Sequence, residues 1–469
     1  MLIAISRQSA AHGFFAGLIT GIVYFTGTLY WITRVMAVYG GLSETVAVLV
    51  NAALIAYLAL FPAIFGLIVA RLARADVRLL MWAPLVWVTT ELGRTYLFSG
   101  FPWVLLGYSQ VRVLPIAQLA SVVGVYGVSA LVAWVSAALA LVAVSERASR
   151  PGAYLRLAGA VAGVTVTVIW GSVRISLNSL TLTGDAVRVG LTQGNVDQAE
   201  KWNEQHANEI FQRYLQMSRQ SAAGGAQFVL WPESAMPSIF GDDLVGTEQV
   251  RALARSIGVP ILVGTDQIER GPASKYFNSA VLVRADGSTG AVYSKMHLVP
   301  FGEYVPLRRV FFFASRLVEA VSDFSPGESA VLLPVGQHQA STAICYEIVY
   351  PNLVRQSVAA GSELLTTITN DAWFGPTSAP YQHFAQASMR AIENGRYLVR
   401  AANTGISGIV DPYGRVLAQT GIYEPAVVIG DARFIRSLTV YTRIGDLFAY
   451  LSVLATVALL VTHHPRRIR

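Results

Sequence analysis

The chain has a single cysteine, Cys345, among 469 residues. An intrachain disulfide is therefore excluded, and cysteine usage leaves the compartment open. Charge is scarce too. Asp, Glu, Lys and Arg make up 13% of residues and apolar types 54%, against about 25% charged in a soluble globular domain. That balance excludes an ordinary soluble protein and points to a chain that crosses membranes. The formal net charge of +7 is scattered in small clusters with no long basic run, so nucleic acid is not an expected partner. Nucleotide and metal motifs are lacking as well. Gly405 to Gly408 reads as a strand turn and His463-His464 as an interfacial terminus, so no cofactor and no metal are expected.

What the chain does have is long apolar runs. Residues 13–33, 45–70, 79–98, 119–145, 157–173 and 447–462 read as six spans, the third carrying Glu91 and Arg94 at what looks like an interfacial helix end. The first run reads as a span rather than a cleaved leader, because no small-residue cleavage site follows and Trp31 and Arg34 suit interfacial anchors. Residues 100–110 are punctuated by Gly and Pro and read as an ordered aromatic loop. With six spans, Arg7 and the clusters Arg71/Arg74/Arg78, Arg147/Arg150/Arg156 and Arg466/Arg467/Arg469 share one side. The opposite loops hold only Arg34, Arg94 and Arg112, which places the clusters in the cytoplasm and the long insert outside. The expected domains are a membrane domain at 1–177, an extracytoplasmic domain at 178–440, and a last span with a basic tail at 441–469.

The insert is more polar and alternates strands with helices. Residues 187–196, 228–232, 260–266, 277–284, 290–298, 330–334, 341–345, 364–369 and 401–409 read as strands, and 204–221, 247–257 and 381–399 as helices. This is the pattern of a layered α/β domain with its own core. No internal repeat is visible.

Three stretches of the insert place reactive side chains near strand ends: Trp231-Pro232-Glu233, Ser294-Lys295-Met296-His297 and Ile344-Cys345-Tyr346-Glu347. Taken singly, each has a plainer reading. Glu233 fits a solvated turn, Lys295 a strand-edge charge, His297 a structural histidine and Cys345 a small buried hydrophobe. Together they suit acyl transfer: a thiol nucleophile, a carboxylate as base and later acid, and a lysine that eases both thiolate and oxyanion.

The Glu, Lys, Cys order in these contexts resembles the nitrilase, or carbon–nitrogen hydrolase, superfamily. Further matching stretches are Gln193-Gly194-Asn195, Lys201-Trp202, residues 295–306 and residues 370–375. With membrane helices on either side of the insert, the whole chain is similar to the bacterial apolipoprotein N-acyltransferase family. That resemblance implies a polytopic α-helical membrane domain plus an extracytoplasmic α-β-β-α sandwich in the bacterial inner membrane. It implies Glu233 as general base, Lys295 as oxyanion stabiliser and Cys345 as nucleophile. Glu303 and Glu347 become supporting carboxylates, and Trp202 and Tyr346 substrate-side aromatics. The implied partners are a membrane phospholipid as acyl donor and a diacylglyceryl-modified apolipoprotein as acceptor, met by a monomer. The family usually carries two more helices ahead of the one that starts here near Gly13.

Two other classes stay open at this stage. A membrane-anchored amidase would pass the acyl group to water, and a channel with a large outer domain would do no chemistry. The few ionisable residues in the spans argue against the channel. The apolar run at residues 310–314 fits a buried strand, but its flanking Arg308-Arg309 and Arg316 favour a lid that touches the bilayer.

Overall fold

The computed structural model describes residues 1–198, 201, 204–272, 274–304 and 324–463. Trp202, the 310–314 run and Arg466, Arg467 and Arg469 lie outside the described residues. The chain divides into two compact units. One comprises Met1–Arg34, Leu42–Leu177 and Arg443–Arg469, and the other Val35–Gly41 with Asn178–Thr442.

The first unit is helical, with α1 (Ala10–Leu29), α2 (Glu44–Ala75), α3 (Ala83–Tyr96), α4 (Ala120–Val144), α5 (Arg150–Leu177) and a C-terminal helix, Leu447–Thr462. Among the described residues, four helices are long and apolar enough to cross a membrane: α1, α2, α4 and the stretch Arg150–Thr181 that contains α5. The third and sixth expected spans are shorter helices, of 14 and 16 residues, where an upright crossing takes about 20. The fifth is longer than expected at 28 residues, which draws Arg150 and Arg156 out of the loop and into the helix. Side chains such as Phe15, Ile19 and Val23 on α1 and Leu155, Val166 and Ile169 on α5 are exposed, the apolar surface that a lipid solvent would cover.

Close backbone approach binds α1 to α2. A Cβ on Gly17 would sit 2.1 Å from the Pro62 carbonyl oxygen, so only glycine fits there. Glu91 and Arg94 do not face solvent at the helix end: both are buried. Arg94 Nη1 donates to the carbonyls of Trp103 at 2.7 Å and Phe101 at 3.3 Å, and Glu91 Oε1 accepts from Leu106 N at 2.7 Å. The reason is local. A loop broken by Gly100 and Pro102 leaves backbone groups that no helix satisfies, and these two side chains supply partners.

The second unit is built on two six-stranded sheets, ordered β12-β1-β2-β3-β4-β5 and β11-β10-β9-β8-β7-β6. The strands are β1 (Ala186–Gln193), β2 (Phe228–Leu230), β3 (Ile261–Glu269), β4 (Lys275–Val283), β5 (Thr289–Ser294), β6 (Leu333–Val335), β7 (His338–Ile344), β8 (Leu364–Thr369), β9 (Leu398–Ala402), β10 (Gly408–Val410), β11 (Val416–Gln419) and β12 (Ala426–Arg433). Helices α6 (Glu204–Ala223), α7 (Leu244–Ile257), α8 (Pro351–Ala359) and α9 (Ala379–Asn394) connect the parallel strands.

Strand periodicity explains the layers. Phe228, Leu230, Leu262, Ala280 and Leu282 join Ile344, Leu364, Ile368 and Val399 in one core between the sheets. The alternate residues Val229, Trp231, Ile261, Val263 and Val281 form a second core with Ile210, Tyr214, Val250 and Leu253 of α6 and α7. With helices over the second sheet as well, this is an α-β-β-α sandwich, and strands apolar on both faces follow from burial on both faces. Two element assignments change. The expected helix 381–399 stops at Asn394, where Gly395 takes a left-handed φ of 61°. The expected strand 401–409 is two antiparallel strands, β9 and β10, separated by a turn through Asn403 to Ser407.

Candidate active site

Each functional side chain sits just past the end of a strand. The apolar β2 runs through Trp231 into Pro232 and Glu233. Trp231 is fully buried, stacked on Tyr214 with ring centroids 5.2 Å apart, and its Nε1 donates to Ser218 Oγ at 2.7 Å. On the neighbouring strand, a Cβ at Gly264 would lie 1.9 Å from the Pro232 carbonyl oxygen, so glycine is what lets this turn lie flat against β3. The turn is thereby fixed, and Glu233 with it.

Lys295 follows β5. Its backbone N–H donates to Asn278 O at 2.8 Å and its carbonyl accepts from Gly327 N at 2.8 Å. Its Nζ lies 2.8 Å from Glu303 Oε1 and 3.3 Å from Glu233 Oε1. Asn278 Nδ2 bridges the same two carboxylates at 2.7 Å and 3.0 Å, Asn370 N donates to Glu233 Oε2 at 2.8 Å, and Val299 N donates to Glu303 Oε2 at 2.8 Å. Two buried carboxylates thus share one ammonium and a ring of N–H donors, the arrangement that buried charge requires.

The electrostatics follow. Burial alone would raise the Glu233 carboxyl, but Lys295 and the Asn278, Lys201 and Asn370 contacts outweigh it and hold it below its ordinary range. Burial would likewise lower Lys295, yet Glu303 and Glu233 keep its ammonium above the usual lysine range. At neutral pH, Glu233 is a carboxylate and Lys295 a cation.

Cys345 follows β7 directly and is 8% exposed. Its φ is +52°, a left-handed conformation that is costly for a residue with a Cβ. The turn Cys345–Val349 follows, and α8 starts at Pro351, whose missing N–H does no harm in a first helical turn. Burial pushes the thiol well above its ordinary range, Glu233 adds to this, and Lys295 opposes it without prevailing. Lys295 thus eases the thiolate as expected, but desolvation is the larger effect, and the sulfur is a thiol beside the Glu233 carboxylate.

Glu347 serves the backbone. It accepts Ile344 N at 2.8 Å, Met296 N at 2.7 Å, His297 N at 3.1 Å and the Tyr293 hydroxyl at 2.8 Å, tying the exit of β7 to the exit of β5. Tyr346 is buried, packed edge-on to Tyr350 at 5.3 Å and near the His297 ring at 6.0 Å. His297 lies 3.9 Å from the Tyr350 ring, and burial with the Lys295 charge pulls it down to about 4, so it is a neutral packing residue. Glu233, Lys295 and Glu303 are therefore in direct contact, and Glu347 acts through main chain.

Sequence reasoning gave no role to Asn278, Lys201, Asp371, His383 or Arg400. Lys201 Nζ reaches the Glu233 carbonyl at 3.3 Å. The signal for the last three was Arg400 itself, a lone cation inside the apolar run Leu398-Val399-Arg400-Ala401, which must find a buried carboxylate.

A family model described as carbon-nitrogen hydrolase matches residues 188–434, and one described as apolipoprotein N-acyltransferase N-terminal domain matches residues 1–173. The chain is 40% identical to an apolipoprotein N-acyltransferase of Geobacter metallireducens, over 97% of this chain and 87% of that one. It is 35% identical to the enzyme so named in Methylococcus capsulatus, over 92% and 83%. Among solved structures, a nitrilase-superfamily amidase from Nesterenkonia aligns at 23% identity and a TM-score of 0.42, covering 58% of this chain and 98% of that one. A membrane-compatible helical unit, a sandwich of the carbon–nitrogen hydrolase kind and relatives matched almost end to end agree, and the chain belongs to the apolipoprotein N-acyltransferase family, acyltransferase enzymes of the membrane.

Proposed function

We propose that the protein moves an acyl chain from a membrane phospholipid, through a thioester on Cys345, to the α-amine of the diacylglyceryl-cysteine that begins an apolipoprotein. Glu233 takes the thiol proton as sulfur attacks the ester carbonyl, and the Lys295 ammonium stabilises the oxyanion. Collapse breaks the ester C–O bond. The lysophospholipid alkoxide takes the proton back from Glu233 and leaves. The acceptor amine then attacks the thioester and Glu233 removes its proton. The C–S bond breaks, and the departing sulfur recovers that proton as the amide forms.

One observation carries this reading: a buried thiol on a left-handed turn, governed by a carboxylate that is itself ion-paired to a lysine. The arginine asymmetry supports a catalytic unit on the outer face of the bacterial inner membrane, where such acceptors would be met. The names of the relatives support the choice of acceptor.

The test is a phospholipid with labelled acyl chains, supplied to the full chain in membranes without acceptor. Wild type should accumulate a hydroxylamine-labile label on the protein and release it to a diacylglyceryl-cysteine peptide. Cys345→Ala should carry no label. A labelled Cys345→Ala protein, or release of the wild-type label to water faster than to the peptide, would overturn the reading.

A further inference from the structure

Beneath Cys345 lies a buried charge cluster that the chemistry above does not use. His383 Nε2 is 3.1 Å from the Cys345 carbonyl oxygen. A carbonyl only accepts, so Nε2 carries a proton and donates it. Nδ1 faces Arg400 Nη2 at 3.0 Å and Asp371 Oδ1 at 2.9 Å. Arg400 Nη2 also donates to Asp371 Oδ2 at 2.8 Å and Arg400 Nε to the Ile406 carbonyl at 3.1 Å, while Thr369 Oγ1 donates to Asp371 Oδ1 at 2.8 Å. All three charged or titratable side chains are fully buried. Burial and the Arg400 charge pull His383 below its ordinary range, while Asp371 and the Cys345 carbonyl pull the other way.

Burying an arginine, an aspartate and a histidine is expensive in a core that could have been apolar. His383 ties the cluster to the backbone of the cysteine turn through its hydrogen bond to the Cys345 carbonyl. In a planar trans peptide, the carbonyl of one residue and the N–H of the next point in opposite directions. With the Cys345 carbonyl anchored on His383, the Tyr346 N–H is aimed away from the cluster. The left-handed φ at Cys345 makes this peptide the part of the turn that would otherwise relax.

We propose that His383, held by Asp371 and Arg400, is a positioning residue that locks the Cys345–Tyr346 peptide so that the Tyr346 N–H donates to the oxyanion formed when Cys345 is acylated. The inference rests on the reading of Cys345 as the acyl-carrying nucleophile. His383 touches neither substrate nor sulfur in this scheme and acts through one peptide plane.

Two reactions at the same sulfur separate this role from general support of the fold. Acylation from labelled phospholipid builds a tetrahedral oxyanion. Alkylation by iodoacetamide displaces iodide and builds none, and it also counts the competent sites in any preparation. In His383→Asn the shorter amide cannot reach the Cys345 carbonyl from the Nε2 position. Acyl-thioester formation per alkylatable site should fall by about 10²-fold, the usual cost of one oxyanion donor, while the alkylation rate stays within about twofold. In His383→Gln the longer amide can place its N–H near Nε2, and acylation should recover to within about tenfold of wild type.

The proposal is overturned if acylation and alkylation fall together, if His383→Asn acylates normally, or if His383→Asn offers no alkylatable sulfur. It is also overturned if His383→Gln fails to exceed His383→Asn. Absence of any thioester in wild type is a different failure, because it removes the proposed function before the variants are compared.

Discussion

The two halves of the sandwich are built alike and put to different use. Each sheet has the same run of pairings, antiparallel, parallel, parallel, antiparallel, antiparallel, from β12 to β5 in one and from β6 to β11 in the other. Under this correspondence β2 matches β8, and each releases a buried carboxylate just beyond its carboxyl end, Glu233 in one half and Asp371 in the other. Each carboxylate meets a cation, Lys295 or Arg400. The ends of parallel strands are where an α/β fold gathers side chains, so the shared position follows from topology. The difference lies in the cation. Lysine is a compact charge on a mobile stem, able to serve a carboxylate in one state and an oxyanion in the next. Arginine is a rigid fork, and here it spends its donors on Asp371, His383 and the Ile406 carbonyl. One half thus brings Glu233 and Lys295 to the site, and the other brings the cysteine turn with the buried cluster beneath it.

The comparison breaks first in the half with the lysine. Glu233→Gln keeps the shape of the side chain and its contact with Asn370 N but removes the carboxylate proposed as base. Turnover should fall by about 10²–10⁴-fold, with thermal stability nearly unchanged because Lys295 still has Glu303 at 2.8 Å. Rate and melting midpoint measured on the same preparation check this. A variant that keeps its rate would reassign the base.

In the other half stability should fall, and the rate with it through His383. Arg400→Lys preserves the charge and loses the fork, so Asp371 and His383 can no longer be held together. The expected cost is about 2–3 kcal/mol of stability, as for lost hydrogen bonds to charged groups. Denaturant midpoints of wild type and variant in detergent would measure it. If Arg400→Lys lowers turnover 10³-fold without moving the midpoint, the two halves are not divided in this way.

Much of this division was legible in the sequence, and the illegible part has a physical reason. Glu233, Lys295 and Cys345 stand at the ends of short apolar runs, where a polar residue signals that the chain is leaving a strand. Their contexts are contiguous, so a single strand end displays each one. The Asp371–His383–Arg400 cluster is spread over the exit of β8, the body of α9 and the middle of β9. No sequence spacing places 371, 383 and 400 together until the parallel pairing of β8 with β9 is known. The edge strand β11 failed for another reason. Its residues Val416 and Leu417 are both exposed, so the alternation that marks a half-buried strand is missing. Residues 401–409 looked continuous because Ile406 and Ile409 keep an apolar texture across a turn. Glu91 and Arg94 misled because charge near a helix end usually means water, and in this helix it means a loop that needs hydrogen-bond partners.

The smallest effect concerns acid, and it sharpens the comparison from the side of Asp371. Burial opposes the charge of this carboxylate, but Arg400, His383 and Thr369 outweigh it and bring the folded-state value down to about 2, against an ordinary 3.8. A depressed carboxylate binds its proton more readily in the unfolded chain, so folding gains stability as pH rises through this window. The gain is complete above about pH 4 and is lost as pH falls through about 2. A difference of nearly two units corresponds to about 2 kcal/mol, roughly half of it gone by pH 3. Asp371→Asn fixes the side chain in its uncharged form and should therefore be less stable than wild type at pH 7, with the gap narrowing steadily toward pH 2. Denaturant midpoints followed by tryptophan fluorescence at pH 7, 4, 3 and 2 would trace it. A gap that stays constant would mean that Asp371 is not charged in the folded protein, and the ion cluster that separates the two halves would then have to be redrawn as a set of neutral hydrogen bonds.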